Sequence, residues 1–315
     1  MTIILPLTLS LAPKTAANKV LKITWLFRMK KLFNFCFEIE FYLKIAISCT
    51  IAQQIFYWLL HDTELKLITQ VLLYWLVSSA SFYSIGIFLE KGIKSNYFLR
   101  EKLTARIKPV KNQAFPSFTA QGIITGEIKA FISALIILSL APEVHRGNSL
   151  LLNLGWFLMR IVAADFCFYL VHWLFHSSKF LQKIHLKHHE FRDTSSFVAG
   201  HKSLLEYILV TITDLLPIFI FGYDITQLCA WTVIGNAFNL EGHSSLSIFF
   251  IPSDFHDLHH TCFKGNYGIH GFWDRVFNTL NSPTKKLGIM FPVSLIESKT
   301  IKSSISVDRA MDLME

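Results

Sequence analysis

The sequence predicts an all-α, polytopic membrane bundle capped on its cytoplasmic side by a histidine-rich helical layer. Three observations lead there. Only 17% of residues are charged and 52% are hydrophobic, with 29 phenylalanines, where a soluble domain carries about a quarter charged residues. Several apolar runs reach the roughly 18 residues needed to cross hydrocarbon. Ten of the 13 histidines fall between Asp165 and His260 at spacings that repeat.

The elements follow in order. The apolar stretch Ile3–Ala12 precedes its positive charges, the reverse of a signal peptide, and Met29-Lys30-Lys31 would make an ordinary start, so residues 1–40 read as a basic N-terminal segment. Phe41–Leu60 and Leu67–Leu89 are the first two spans, joined by a short turn containing His61. A basic loop from Lys91 to Lys111 follows, and residues 41–149 form one membrane unit. Ile128–Ala141 is short for a span and is expected to pair with Leu150–Phe175 as half of a re-entrant hairpin. Leu204–Phe221 and Ile225 to about Leu240 close the apolar part, joined by Gly222-Tyr223-Asp224. Residues 150–280 form the histidine-bearing domain, and 281–315 a tail without apolar periodicity.

Charge sets the orientation. With a cytoplasmic N-terminus, that side receives 25 of the 30 Lys and Arg residues, the opposite side two, and the helices three. The positive-inside rule therefore places the histidine clusters in the cytoplasm. The net charge of +8 is interleaved with apolar runs, which points to an anionic lipid surface and excludes nucleic acid as a partner. The five cysteines are an odd number without a Cys-x-x-Cys, and read as buried free thiols.

The histidines carry the chemistry. His172 and His176 are four residues apart; His185, His188 and His189 form a His-x-x-His-His triplet, repeated by His256, His259 and His260, with His201 and His243 between. Residues i, i+3 and i+4 share a helix face, so each triplet can present its imidazoles together. Neutral imidazole suits Zn, Cu, Fe and Ni, and ten donors exceed what one zinc ion takes. Two metal ions are expected. Asp165 and Tyr169 continue the stripe of His172 and His176. Asp165, an acid within an apolar helix, is expected to orient a ligand by a hydrogen bond, whereas Asp214 near Pro217 reads as satisfying backbone opened by the proline. His61 and His145 read as ordinary hydrogen-bonded residues, and His270 as lying near the site but outside any cluster.

These residues resemble the fatty acid hydroxylase and sterol desaturase superfamily of integral-membrane, non-haem di-iron enzymes, over roughly Leu150 to Thr279. Asp165, Tyr169, His172, Trp173 and His176 look like its first motif, with Trp173 in place of Arg; Ile184 to Phe191 looks like its second. Ala199-Gly200-His201-Lys202 lacks the family's proline, and His243-Ser244-Ser245-Leu246 is half preserved. Phe255 to His260, Gly265-Asn266-Tyr267-Gly268 and Trp273 to Thr279 are similar to sterol C4-methyl oxidases and cholesterol 25-hydroxylases, with Asn278 where Gly is usual.

The resemblance implies two iron ions, with zinc as an alternative occupant, and O2 as co-substrate. It also implies hydroxylation or desaturation of a lipid C–H bond, sterol or fatty acyl, with Asp165 and Tyr169 in the catalytic set. The sequence holds no haem-attachment, Gly-x-Gly-x-x-Gly or flavin motif. Electrons would then come from an external cytochrome b5-type or ferredoxin-type donor. Three alternatives stay open. A metal transporter would place ligands near the bilayer midplane; a zinc hydrolase would need a His-Glu-x-x-His, which is absent; a catalytically inactive lipid-binding relative would keep the histidines without turnover.

Overall fold

A computed structural model describes residues 39–60, 62–93, 96, 120–191, 195–246, 248–250 and 253–281. The expectations for the N-terminal segment, most of the basic loop, His61 and the tail lie outside these residues. Among the described residues the regular structure is helical, apart from one isolated bridge between Glu143 and Tyr223.

Five helices are long and apolar enough to cross a membrane: α1 (Ile39–Leu60), α2 (Leu67–Ile87, running on as a π-helix through Ile93), α3 (Ala120–Leu140), α4 (Leu150–Ser177) and, after the short α5 (Lys179–His185), α6 (Leu204–Phe221). The protein is a polytopic membrane bundle. Its helices are apolar on both faces. On α1, Tyr42, Ile45, Ala46 and Cys49 pack inward while Leu43, Ile47, Ile51 and Ile55 are exposed at every fourth residue. Exposed apolar stripes of this extent on several helices are stable against lipid rather than water.

Two expectations change. α3 is a full helix of 21 residues, about 31 Å long, long and apolar enough for a span rather than half of a hairpin. Its first turns carry Thr125, Gly126 and Glu127, which masked the helix in an apolar reading. Glu127 is accommodated because its carboxylate accepts from the Ser79 hydroxyl on α2. The second change concerns α7 (Ile225–His243), which lacks the apolarity of a span and has 12 buried residues of 19. It is the interior helix, packed along α2. Inside the bundle it meets protein, so it tolerates Gln227, Thr232, Asn236 and Asn239.

The ends away from the histidines are tied by polar side chains. The loop after α3 pairs with the α6–α7 turn through Val144 N–H to Tyr223 O (2.8 Å) and Tyr223 N–H to Pro142 O (2.8 Å). Gly222 makes that turn at φ +80°, where a Cβ would meet the Pro142 carbonyl oxygen. Asp224 caps α7, accepting from Thr226 N (3.0 Å) and Gln227 N (3.4 Å). Asn153 on α4 joins Gln53 of α1 to Gln227 of α7. At the opposite end α4, α5, α7, a 3-10 turn (His188–Glu190) and α8 (Ser253–Cys262) deliver the histidines, with a second 3-10 turn (Ser196–Gly200), the start of α6 and α9 (Phe272–Val276) around them.

Candidate metal centre

Nine of the ten predicted histidines converge in two abutting groups. One holds His172, His176, His185, His189 and His259; the other holds His188, His243, His256 and His260, with the facing ring nitrogens of each group within 4.8 Å of one another. Each His-x-x-His-His triplet splits between them. Its i and i+4 members share one group and its i+3 member crosses to the other, so both triplets straddle the centre. The groups touch: the His189 and His260 rings lie 4.6 Å apart. Eight of the nine are buried.

Ring orientation is set from outside. Nδ1–H groups donate to the Tyr267 carbonyl from His172 (2.8 Å), to the Glu206 carboxylate from His185 (2.9 Å) and to the His201 carbonyl from His188 (3.3 Å). His243 donates likewise to the Asn239 carbonyl (2.8 Å) and His259 to that of Gly265 (2.7 Å). Backbone carbonyls can only accept, so His172, His188, His243 and His259 carry their proton on Nδ1 and, like His185 at the Glu206 carboxylate, turn Nε2 inward, as metal-ligating imidazoles do.

The inward atoms fit a cation. His188 and His243 both have their Nδ1 protons committed, yet their Nε2 atoms lie 3.3 Å apart in a buried site. Two lone pairs cannot hydrogen-bond each other; a shared cation removes the repulsion. His256 and His243 face each other at 2.9 Å, His260 and His256 at 3.1 Å, His189 and His185 at 2.9 Å, and His259 and His189 at 3.1 Å. Ligands about 2.0–2.1 Å from one ion are separated by about 2.9 Å at a right angle and 3.4 Å at the tetrahedral angle. His172 Nε2 is buried without a hydrogen-bond partner, as expected of a ligand atom. The residues present fit two metal ions.

Electrostatics agree. Burial, reinforced by neighbouring imidazoles or Lys202, pushes His188, His189, His256 and His260 well below the ordinary histidine range; burial brings His259 to about 4 and His243 to about 3. All are neutral near pH 7, the form that binds metal.

His201 is the tenth. Its ring enters neither group: Nε2 bonds the Glu190 carboxylate at 2.9 Å, and only its backbone carbonyl serves the site, through His188. Asp165 and Tyr169 also stand outside both groups. Asp165 accepts from the Tyr42 hydroxyl (2.6 Å) and Ile269 N–H (2.8 Å), and the orienting role expected of it at His172 falls to the Tyr267 carbonyl. The Tyr169 hydroxyl lies 3.1 Å from Thr279 Oγ1 and its ring stacks on Phe277. Both side chains hold the chain segment that follows α8. His270 stacks on Phe41 at 4.2 Å, outside the groups.

Three positioning residues went unread. Glu206 sits one turn into α6, its N–H bonded to Ser203 Oγ (3.2 Å); the Ser-x-x-Glu capping pattern was visible, but its reach to His185 was not. Asp274 accepts from Tyr267 N, Gly268 N and the Thr279 hydroxyl (2.7–2.8 Å), shaping the loop that supplies two of the four acceptor carbonyls. Glu241 accepts from Ile248, Phe249 and Phe250 N–H (2.7–3.0 Å), folding the chain back after α7. A cavity of about 510 Å³ opens beside the centre, reaching from His172, His188, His243 and His256 between the spans to Tyr74 and Asp214.

Residues 157–279 match the fatty acid hydroxylase family model, the segment that contains every residue of the two groups. Over that segment the chain is similar to the fatty acid hydroxylase family. Among its relatives, the human fatty acid hydroxylase domain-containing protein 2 is 27% identical over 133 residues, 39% of each chain. Methylsterol monooxygenase 1 of Gallus gallus is 30% identical over 128 residues, 38% of this chain and 43% of its own. Sphinganine C4-monooxygenase 2 of Arabidopsis thaliana is 25% identical over 244 residues, 69% of this chain and 88% of its own. The chain thus spans about two-fifths of the length of the first two. No solved structure matches.

Proposed function

We propose that this protein is an O2-dependent, di-iron membrane monooxygenase that hydroxylates a C–H bond of a lipid. The observation that carries the reading is the pair of abutting nitrogen-donor groups opening onto a cavity between apolar spans. Relatives named as methylsterol and sphinganine monooxygenases favour hydroxylation over desaturation. They favour iron as well, because zinc has no redox chemistry.

The nine grouped histidines would hold the two ions, and bound iron would supply the O2 activation needed to attack an unactivated C–H bond. The chain's own residues do the remainder. Five Nδ1–H bonds fix ring orientation before any metal arrives, as ligand preorganisation requires. Phe175, Phe197 and Phe238 line the cavity and keep water from the reacting carbon. The lipid enters from the bilayer and is held with that carbon beside His172 and His256. Electrons come from an external donor, cytochrome b5-type or ferredoxin-type, drawn to the basic residues Lys179, Lys183, Lys187 and Lys264 of the histidine face, which charge distribution assigns to the cytoplasm.

The test joins metal analysis to lipid profiling. Full-length protein in nanodiscs should contain iron in both groups, and cells carrying the gene should hold a lipid one oxygen heavier than cells without it. Iron-free protein reconstituted with iron and a reductant, with no oxygenated lipid formed, would reject the reading.

A further inference from the structure

We propose that the inner end of the cavity recognises the hydroxyl group of a lipid alcohol, with Asp214 as its acceptor. The inference rests on reading the cavity as the substrate site. Asp214 sits within the apolar α6 and lines the cavity, together with Tyr74 and Thr232. An acid at such a depth is costly and is paired or functional. Its two oxygens share a single donor, the Trp231 indole N–H, at 3.1 and 3.2 Å. A carboxylate offers about four acceptor sites, so capacity remains toward the cavity. The carboxylate's charge is balanced nearby by Arg160, buried with its guanidinium 4.3 Å from the Trp231 ring. Tyr74 and Thr232 line the cavity beside it. The proline-related role expected for Asp214 is not what the side chain does.

The helices set the spacing. Asp214 lies two turns beyond Glu206, the residue that holds His185, and Thr232 lies three turns before His243. At 1.5 Å per residue the polar end is about 12–16 Å from the histidine groups. The substrate therefore bears its hydrogen-bonding group that far from the carbon presented to the metals. A hydrocarbon in this cavity would strip water from the remaining acceptor sites of Asp214 without replacing it, and sites built to bond a hydroxyl reject analogues lacking it. A neutral hydroxyl enters at lower desolvation cost than an ammonium group, which favours an alcohol. Long-chain alcohols and sterols share that chemistry.

The experiment measures binding to iron-loaded, full-length protein in nanodiscs with two radiolabelled probe pairs: octadecan-1-ol against octadecane, and cholesterol against cholestane. At least one alcohol should bind tenfold or more tightly than its hydrocarbon. The pair that responds tells linear from polycyclic lipids. Asp214→Leu, which removes the acceptor at similar volume, should erase the preference while hydrocarbon still binds, and Trp231→Phe, which removes the competing indole N–H, should keep it. No preference in the wild type for either pair, or a preference that survives Asp214→Leu, overturns the inference. The wild-type comparison stands even if the Asp214 variant fails to insert. Failure of the monooxygenase reading would appear separately, in metal content and lipid product.

Discussion

His188 and His243 carry the strongest mark of a candidate metal site. Each ring has one proton and spends it on a carbonyl, leaving Nε2 lone pairs 3.3 Å apart. His243→Ala should empty the second group while the first, built from five other rings, keeps its ion. Iron per chain would fall from two toward one, measured by plasma mass spectrometry, and oxygenated product would disappear. Glu206→Gln keeps an acceptor at His185 but removes its charge; changes to such outer partners typically cost about 10–100-fold in metal affinity, which a chelator competition would register. The ring stacking was not legible residue by residue. Spacing located the triplets, yet His201 looked as eligible as His243, and only the fold sends its ring to Glu190.

At the scale of elements, the segment after α8 carries the tightest constraint. Gly265 holds φ +76°, and a Cβ there would overlap the Thr279 carbonyl oxygen; its own carbonyl anchors His259. Gly265→Ala should therefore displace His259, lowering both thermal stability and iron retention, while Asn278→Gly at φ +60° should be tolerated or stabilising. Asp274→Ala leaves the buried Tyr267 and Gly268 N–H groups unpaired, a cost of about 1–3 kcal/mol for each, seen as a lower unfolding temperature. The capping serine of α6 and the aspartate of α7 were readable as short-range chemistry. The length of α3 was not, because Glu127 finds its partner on another helix.

For the whole molecule, pH and sidedness are the informative variables. The outlying histidines of both groups are neutral in the fold, with His259 near 4 and His243 near 3, while an unfolded chain titrates near 6.5. Below that value the unfolded state binds more protons, so the metal-free protein should lose stability as pH falls from about 7 to 5. Bound metal competes with the protons and should shift the loss to lower pH. Thermal unfolding with and without iron across that range is the check. Cys49 and Cys229 are buried as expected of the thiols, but Cys262, read as buried, is exposed beside the centre. A membrane-impermeant maleimide should label it in inside-out vesicles and not in right-side-out ones, if charge orients the bundle as read.

Short-range information was sufficient for the helical class, four of the five spans at nearly their full length, and the nine imidazoles that assemble. Apolar run length and i, i+3, i+4 spacing are properties of a single segment, so they survive without a fold. Whatever depends on a partner distant in the chain was decided by tertiary packing alone. That includes the division of each triplet between two groups and the carbonyls that turn the rings. It also includes the interior place of α7 and the contact of Asp214 with Trp231 in the cavity wall. Each is a match between elements, and a linear pattern holds no record of which surfaces will face each other.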